Sequence, residues 1–447
     1  MKKIALSFLV FHLSFSYAGA QTQPWTLLQC CEYALKHNIS VKQYENQLRQ
    51  REVQLSTARN QRLPDLSGSA SQNFSFGRGL TADNTYTNKS TSSTSFSLGT
   101  SVPLFTGMRI PNTIAVNRLN LQAATADLEK AKNDICMQVA QGYVQILYAL
   151  ELEDVARRQI TIDSAQVARL QALLQLGKAS EAQLSQQKAT LAQSQLTLTQ
   201  AENNRQLALL TLSQLLELPT PDGFSVKRPD QLELSMFSSV LSTPDQIYNE
   251  ALGVKPEIEA GNLRLKIAEK NISLAKADLY PSLSFSAGLG TNYYKTSGFP
   301  ADDFSTQMKN NFSQYLGFNL NIPIFSRFQT RNSIRSARID YENQQLSLDN
   351  AKKTLYKEIQ QVYYNTVAAQ QKLKSSEQAC QSTADAFRLT TAKYEQGKAS
   401  ITEFNEQKNI YLKAESDLTQ ARYEYLYQKA LIQFYQGKTG SADLPGW

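Results

Sequence analysis

Two long stretches of this chain lack almost every residue that ends a helix, and this limits the possible folds more than any other feature. From Asn112 to Leu176 the only helix breaker is Gly142, and the segment from Phe328 to Gln396 contains neither Gly nor Pro. Because a helix rises about 1.5 Å per residue, each stretch predicts a rod of roughly 100 Å. A mean globular helix has only about 11 to 12 residues, so such rods cannot pack into a compact core.

The two stretches belong to an internal duplication. Val102-Pro103-Leu104-Phe105 precedes the first stretch and Ile322-Pro323-Ile324-Phe325 precedes the second, and the following Gly177 and Gly397 each lie 74 residues after the proline. The start of each half also repeats, since Ala34-Leu35 matches Ala251-Leu252. We therefore predict that the chain divides into a first repeat, a linker, a second repeat and a tail, with bounds 21–218, 219–243, 244–436 and 437–447.

In the sequence, a shorter helix is predicted before and after each long one. The length of the first rod equals the summed lengths of two predicted helices, Ser40–Leu63 and Lys178–Leu218. The length of the second rod is close to the sum for Glu257–Tyr280 and Lys398–Gln436. We expect each short pair to stack end to end beside its long partner, with Ser40 as the N-cap of the first short helix. Heptad spacing in the second rod predicts the packed side, through Ile334, Tyr341, Leu348, Leu355, Val362 and Ala369 and then Leu373, Cys380, Phe387 and Tyr394.

Four segments alternate between apolar and small polar residues, which predicts four strands with a different solvent on each face. Each is expected to have about the 9 to 11 residues that cross a bilayer at a tilt, and a polar loop is expected from Gly77 to Thr91. The predicted apolar faces are Leu66, Gly68, Ala70, Phe74 and Phe76; Phe96, Leu98, Val102 and Leu104; Leu283, Phe285, Ala287, Leu289 and Tyr293; and Phe312, Leu316, Phe318, Leu320 and Ile322.

The first twenty residues predict export. Met1-Lys2-Lys3, an apolar run and Ala18-Gly19-Ala20 form the three parts of a secretory signal peptide over residues 1–20. Leu27-Leu28-Gln29-Cys30 resembles a lipoprotein box but lies well beyond the apolar run, so lipidation is not expected. Loss of the signal lowers the formal net charge from +7 to +5, which is too small to indicate a nucleic-acid partner.

The composition disfavours catalysis and metal binding. The two histidines are His12, inside the signal, and His37, so no histidine-based catalytic or metal cluster can form. Cys30 and Cys31 are adjacent, and Cys136 and Cys380 do not occupy equivalent repeat positions, so a disulfide framework is not expected. The sequence predicts no catalytic residue, no metal ligand and no cofactor.

Four strands in lipid leave two edges with unpaired backbone groups, so a sheet that spans a membrane must close on itself. Two copies of the chain would supply eight strands, whose interior fills with side chains, and three would supply twelve, wide enough for a lumen. We expect a homotrimer, because three-fold symmetry also groups the helical hairpins into a tube.

These features resemble the TolC family of outer-membrane efflux factors. The resemblance is carried by the signal, by Trp25-Thr26-Leu27 with Glu32-Tyr33-Ala34-Leu35, and by the doubled strands and Gly turns, and it covers nearly the whole mature chain. It implies a mainly α-helical channel-tunnel with four strands and four long-helix rods per chain. The trimer would form a 12-stranded barrel in the outer membrane of a Gram-negative bacterium and an α-helical barrel in the periplasm.

The resemblance also implies partners. It predicts a passive exit duct for tripartite efflux or type I secretion that works with a periplasmic adaptor and an inner-membrane pump of the RND or ABC type. Adaptor contact is predicted at the two turns, over Leu176, Gly177, Lys178, Ala179 and Ser180 and over Gln396, Gly397, Lys398, Ala399 and Ser400. Glu403 and Glu406 match acids of the family's tunnel entrance, although the first repeat has Gln183 and Gln186 there.

Three other interpretations compete with the exit duct. A structural or adhesive coiled-coil protein of the envelope would not need two similar halves with four alternating strands. A simple porin would lack the long helices, and an enzyme would need a nucleophile, a base or a metal cluster. The cargo is not identified, since no Met- or His-rich segment favours metal ions.

Overall fold

The computed structural model of the chain describes residues 24–80, 84–228 and 242–437. The predicted signal peptide, most of the predicted linker and nearly all of the predicted tail lie outside these residues. The helices and strands, in chain order, are α1 (Leu27–His37), α2 (Ile39–Asn60), β1 (Ser67–Leu80), β2 (Tyr86–Thr106), α3 (Arg109–Gln175), α4 (Glu181–Leu215), α5 (Pro244–Val254), α6 (Pro256–Lys276), β3 (Ser282–Thr296), α7 (Phe304–Asn310), β4 (Ser313–Asn321), α8 (Gln329–Glu395) and α9 (Ile401–Tyr435).

Both predicted rods are confirmed. Helices α3 and α8 are uninterrupted and contain 67 residues each. Each begins after two residues in left-handed conformation, which turn the chain sharply away from the sheet: Gly107 and Met108 in the first repeat, Arg327 and Phe328 in the second. At Gly107 a Cβ atom would lie 2.5 Å from the carbonyl oxygen of Ala277, so only glycine fits this turn.

The short helices stack beside the long ones as predicted. Helices α2 and α4 pack along successive parts of α3, and α6 and α9 pack along successive parts of α8. Helix α3 also contacts α6 and α9, which joins the two repeats. The predicted heptad residues of α8 are all buried or half-buried, and Cys380 packs against a cluster that includes Leu373 and Tyr425.

The largest core lies where α1 meets α3 and α4. Fully buried Tyr143 of α3 donates its hydroxyl to the backbone carbonyls of Trp25 at 3.1 Å and Lys227 at 2.6 Å. These bonds fix the start of the first repeat and the first part of the linker on the middle of α3. Within the part of the chain that the structure describes, no helix is long and apolar enough to cross a membrane.

The N-cap of α2 differs from the prediction, and the equivalent position of the second repeat, before α6, carries a different residue. Asn38, not Ser40, caps α2, because its side chain accepts from the amides of Ser40 and Val41. The same side chain donates to the carbonyl of Leu215 at the end of α4, 3.0 Å away. In the second repeat Lys255 precedes α6 and donates its Nζ to the carbonyl of Phe434 at the end of α9, at 3.2 Å.

The described strands form one antiparallel sheet in the order β1-β2-β3-β4. Strands β1, β2 and β3 contain 14, 21 and 15 residues, so the predicted length of 9 to 11 is right only for β4, with 9. The predicted loop from Gly77 to Thr91 is wrong, because β1 continues to Leu80 and β2 begins at Tyr86. The strand pairing continues beyond the alternating apolar residues. It was not predicted because this polar segment lacks apolar alternation.

Candidate channel surfaces and periplasmic tips

The sheet presents two chemically different faces. On the apolar face, large side chains have no cover within the protomer: Phe76, Leu316 and Phe318 are 77%, 78% and 72% exposed. On the polar face, serines pair across β1 and β2, with Oγ–Oγ distances of 2.8 Å for Ser69–Ser97 and 2.7 Å for Ser71–Ser95. A contiguous exposed apolar surface indicates contact with a partner or with lipid. On the polar face, these two serine pairs satisfy their hydroxyls within the sheet.

Both edges of the sheet are open. Strand β1 pairs only with β2, and β4 pairs only with β3, among the residues described. Unpaired backbone groups at a membrane edge cost several kcal/mol each. The protomer is therefore an incomplete wall that further copies of β1 and β4 can continue.

A glycine slot holds one aromatic ring on the polar face. Gly99, Gly288 and Tyr315 lie in one row across β2, β3 and β4. A Cβ atom on Gly288 would lie 2.6 and 2.8 Å from two ring atoms of Tyr315 and 2.9 Å from its hydroxyl oxygen, and one on Gly99 would lie 3.9 Å from that oxygen. The Tyr315 side chain therefore occupies the space that a side chain at Gly288 would fill, whereas a Cβ at Gly99 would make only an ordinary contact.

The two predicted turns have the same backbone. Gly177 and Gly397 have φ values of 69° and 75°, and each is followed by a lysine whose amide donates at 2.8 Å to a carbonyl five residues earlier. Ser180 and Ser400 then form complete capping boxes with Gln183 and Glu403. This backbone, a Schellman end joined to a capping box, reverses the chain in five residues, 176–180 and 396–400.

All the predicted contact residues of both turns are exposed to solvent except the two alanines. Lys178 and Lys398 are exposed and form no ion pair with any described residue, and Leu176 is 68% exposed. Ala179 and Ala399 are half-buried, and Gln396 is exposed. Each turn thus carries one free positive charge at the end of a rod.

The two predicted acids differ in how they are held. The Glu403 carboxylate accepts from the Ser400 amide at 2.7 Å, so the capping box restrains it. Glu406 lies one turn further along α9, is exposed, and has no hydrogen-bond or ion-pair partner among the described residues. Of the two acids, Glu406 is therefore the one that no described residue restrains.

Above the turns, buried polar groups join the two repeats. Lys408 of α9 forms an ion pair with Asp163 of α3, and both side chains are fully buried. Asp163 also accepts from Gln187 at 3.2 Å and from Ser194 at 2.6 Å, both on α4. Asn405 of α9 donates to Gln187 at 2.9 Å, so the cluster connects three helices.

Two further contacts support this connection. Arg158 of α3 pairs with Glu415 of α9 at 2.8 Å. Nearer the turns, the Arg169 guanidinium lies 4.7 Å from the ring centre of Tyr394 in α8, a cation–π contact. The tips of the two hairpins are thus held together by side chains from both repeats.

The buried ion pair was not predicted from the sequence, although the spacing of apolar residues around both charges indicates it. Asp163 lies seven residues after Ala156 and seven before Leu170, and Lys408 lies four residues from both Phe404 and Leu412; all four neighbours are buried. A charge at a core position of one helix, with an opposite charge on a facing helix, indicates a buried pair. Pairing across the repeats could not be foreseen, because it depends on α3 packing against α9.

The chain matches a known protein family over most of its length. The family described as outer membrane efflux protein matches residues 31–217 and 247–437. The pyoverdine export outer membrane protein OpmQ of Pseudomonas putida is 24% identical over 333 residues, which cover 73% of this chain and 66% of that protein. The outer membrane protein TolC of Vibrio cholerae is 26% identical over 185 residues, 41% of each chain. The chain thus spans less than two-thirds of the length of these two relatives.

Solved structures share the fold. The CmeC outer membrane channel of Campylobacter jejuni superposes with a TM-score of 0.77 at 19% identity, over 92% of this chain and 85% of that one. The open state of the MtrE outer membrane channel of Neisseria gonorrhoeae gives a TM-score of 0.72 at 17% identity, over 92% and 88%. The predicted channel-tunnel fold of the protomer, with its strands and rods, agrees with these structures.

Proposed function

This chain belongs to the outer membrane efflux protein family, and on that basis we propose that it is the passive exit duct of a tripartite efflux or type I secretion system. The protein is located in the outer membrane of a Gram-negative bacterium, with its helical part in the periplasm. The family consists of channel proteins rather than enzymes. The observation that carries the proposal is an open sheet with one uncovered apolar face, joined directly to rods of 67 residues.

The duct requires more than one copy. Four strands with two open edges supply a third of a twelve-stranded barrel, so three copies close the wall and place the serine face around the lumen. The same symmetry arranges the helical hairpins as a tube below it. Native mass spectrometry of the detergent-solubilised protein tests this: a particle of three chains is expected, and a monomer or dimer would contradict the closed duct.

The turn residues 176–180 and 396–400 are proposed to contact the periplasmic adaptor, through which an inner-membrane pump of the RND or ABC class would supply substrate. Support comes from the position of the turns at the far ends of the rods and from the unpaired Lys178 and Lys398. Charge reversal at both lysines should reduce crosslinking to the adaptor and reduce efflux. Lys188→Glu, an exposed site on α4 outside the turn, is the matched control. Unchanged crosslinking in the double variant would contradict the contact.

Glu403 and Glu406 are proposed to line the periplasmic entrance, with Glu406 as the main contributor because Glu403 also caps α9. In a trimer the two positions supply six carboxylates, which would favour cations. Single-channel recordings of Glu403→Gln/Glu406→Gln should show a lower preference for K⁺ over Cl⁻. Because glutamine preserves the capping bond, a loss of selectivity would not come from unfolding of the helix start. Unaltered selectivity would exclude both residues from the entrance.

A further inference from the structure

Three of the four cysteines lie together in the core of the first repeat. Cys30 and Cys31 in α1 and Cys136 in α3 are 0%, 1% and 2% exposed and belong to the same apolar cluster. The Cys31 sulfur lies 3.9 Å from the backbone carbonyl oxygen of Cys136. Cys31 therefore faces Cys136 across the contact between α1 and α3.

The two facing thiols also interact with each other. The side-chain interaction between them raises the pKa of the Cys31 thiol and lowers the pKa of the Cys136 thiol. Cys30 has no such partner, and burial alone raises its pKa to about 12. Cys31 therefore contacts Cys136, whereas Cys30 only packs in the same apolar cluster.

We propose that Cys31 and Cys136 form a disulfide bond in the exported protein. The helical part folds in the periplasm, an oxidising compartment in which adjacent thiols are converted to disulfides. The oxidant is a disulfide-carrying thiol oxidoreductase of the periplasm. Its S–S bond breaks, the Cys31–Cys136 S–S bond forms, and two electrons and two protons pass from the thiols to the oxidoreductase.

Oxidation must come before the final packing of α1, because both sulfurs are inaccessible afterwards. The bond would close a loop that contains α2 and the complete first strand pair, β1 and β2. It would fix α1 on α3 while these strands enter the membrane. A crosslink that closes a long loop removes many conformations from the unfolded chain, so it stabilises the folded repeat.

Counting free thiols tests the proposal on the full chain. Envelopes are quenched with acid, and the protein is denatured without reductant, alkylated and analysed by intact mass. The proposal predicts two labelled cysteines, Cys30 and Cys380, rising to four after reduction, and a peptide pair that links Cys31 to Cys136. Four labelled cysteines before reduction would overturn it.

Two variants identify the pair without requiring a native fold, since labelling occurs in denaturant. Cys30→Ser should leave one labelled cysteine, because the proposed bond persists, whereas three labelled cysteines would show that Cys30 is a bonding partner and overturn the assignment. Cys136→Ser should leave three. Reductant should lower the thermal midpoint of the wild type and of Cys30→Ser, but not that of Cys136→Ser; equal effects on all three would contradict a stabilising bond.

Discussion

The first and second repeats share a backbone but place different chemistry on it. Their turns superimpose in sequence at an offset of 220, so Gln183 and Gln186 correspond to Glu403 and Glu406. At the same offset Lys188 corresponds to Lys408, yet Lys188 is exposed and Lys408 is fully buried against Asp163 of the other repeat. A residue's environment therefore depends on which neighbour its helix has, which differs between α4 and α9.

The sheet shows the same divergence. The hydrogen-bonded pair Ser71–Ser95 of the first strand pair corresponds in register to Gly288–Tyr315 of the second. At this position of the sheet, the first repeat thus has two serine hydroxyls and the second has one aromatic ring above a glycine. The two repeats share a backbone because of the duplication, and different substitutions in each repeat give their surfaces different chemistry.

The largest difference expected between the repeats concerns the two equivalent lysines. Lys408→Met leaves Asp163 buried without its counter-charge, which should destabilise the helical part by about 3 to 5 kcal/mol. Lys188→Met removes a solvated charge and should change stability by less than about 0.5 kcal/mol. Thermal unfolding followed by helical circular dichroism measures both.

Replacing the whole pair sharpens this comparison. Asp163→Leu/Lys408→Met should recover most of the stability that Lys408→Met loses, because an apolar pair needs no counter-charge. Equal midpoints for Lys408→Met and Lys188→Met would show that the burial of the ion pair has no energetic consequence.

The glycine slot gives the next largest effect. In Gly288→Ala the new methyl group must displace the Tyr315 ring, at a cost of about 1 to 3 kcal/mol. Gly290→Ala is the matched control, because its Cβ would lie 3.6 Å or more from its neighbours. The yield of heat-modifiable oligomer on unboiled gels reports barrel assembly, and Gly288→Ala/Tyr315→Ser should restore it by recreating the serine-type wall. No difference between the two alanine variants would contradict the slot.

Lys255 and Asn38 occupy equivalent ends of the short helices, but only Lys255 titrates. Burial lowers the pKa of Lys255 to about 8, whereas the unfolded chain keeps the ordinary value of 10.5. Between pH 8 and 10.5 the folded protein therefore binds fewer protons than the unfolded chain. The free energy of unfolding should rise by about 1 to 3 kcal/mol as the pH increases over this range. Lys255→Asn, which copies the first repeat, should lack this rise in thermal midpoint. An equal rise in both proteins would assign it to other groups.

The smallest expected effects are those of the two caps. Ser180→Ala and Ser400→Ala should each cost about 1 kcal/mol, since each removes one side-chain bond to a helix start. Hydrogen exchange at the first turns of α4 and α9 measures this locally. Faster exchange in only one variant would show that the turns are not equivalent in stability.

The features predicted from sequence were those governed by local rules. The long helices follow from the absence of breakers, the turns from Gly and Ser at fixed spacing, and the strand faces from alternation around residues such as Phe318 and Ser69. The extra length of β2 was missed because Tyr86 to Thr91 pairs with β1 without apolar alternation. The Asp163–Lys408 pair and the facing cysteines depend on contacts between distant segments, for which a single sequence offers few signals.

The central claim is that one face of the sheet contacts lipid and the other contacts water. Phe318 and Asn319 are adjacent residues of β4 that point to opposite faces, so they form a matched pair for spin labels in a background without the native cysteines. In proteoliposomes, collisions with oxygen should dominate at position 318 and collisions with a water-soluble nickel complex at position 319. Equal accessibility of the two labels to both reagents would contradict the claim.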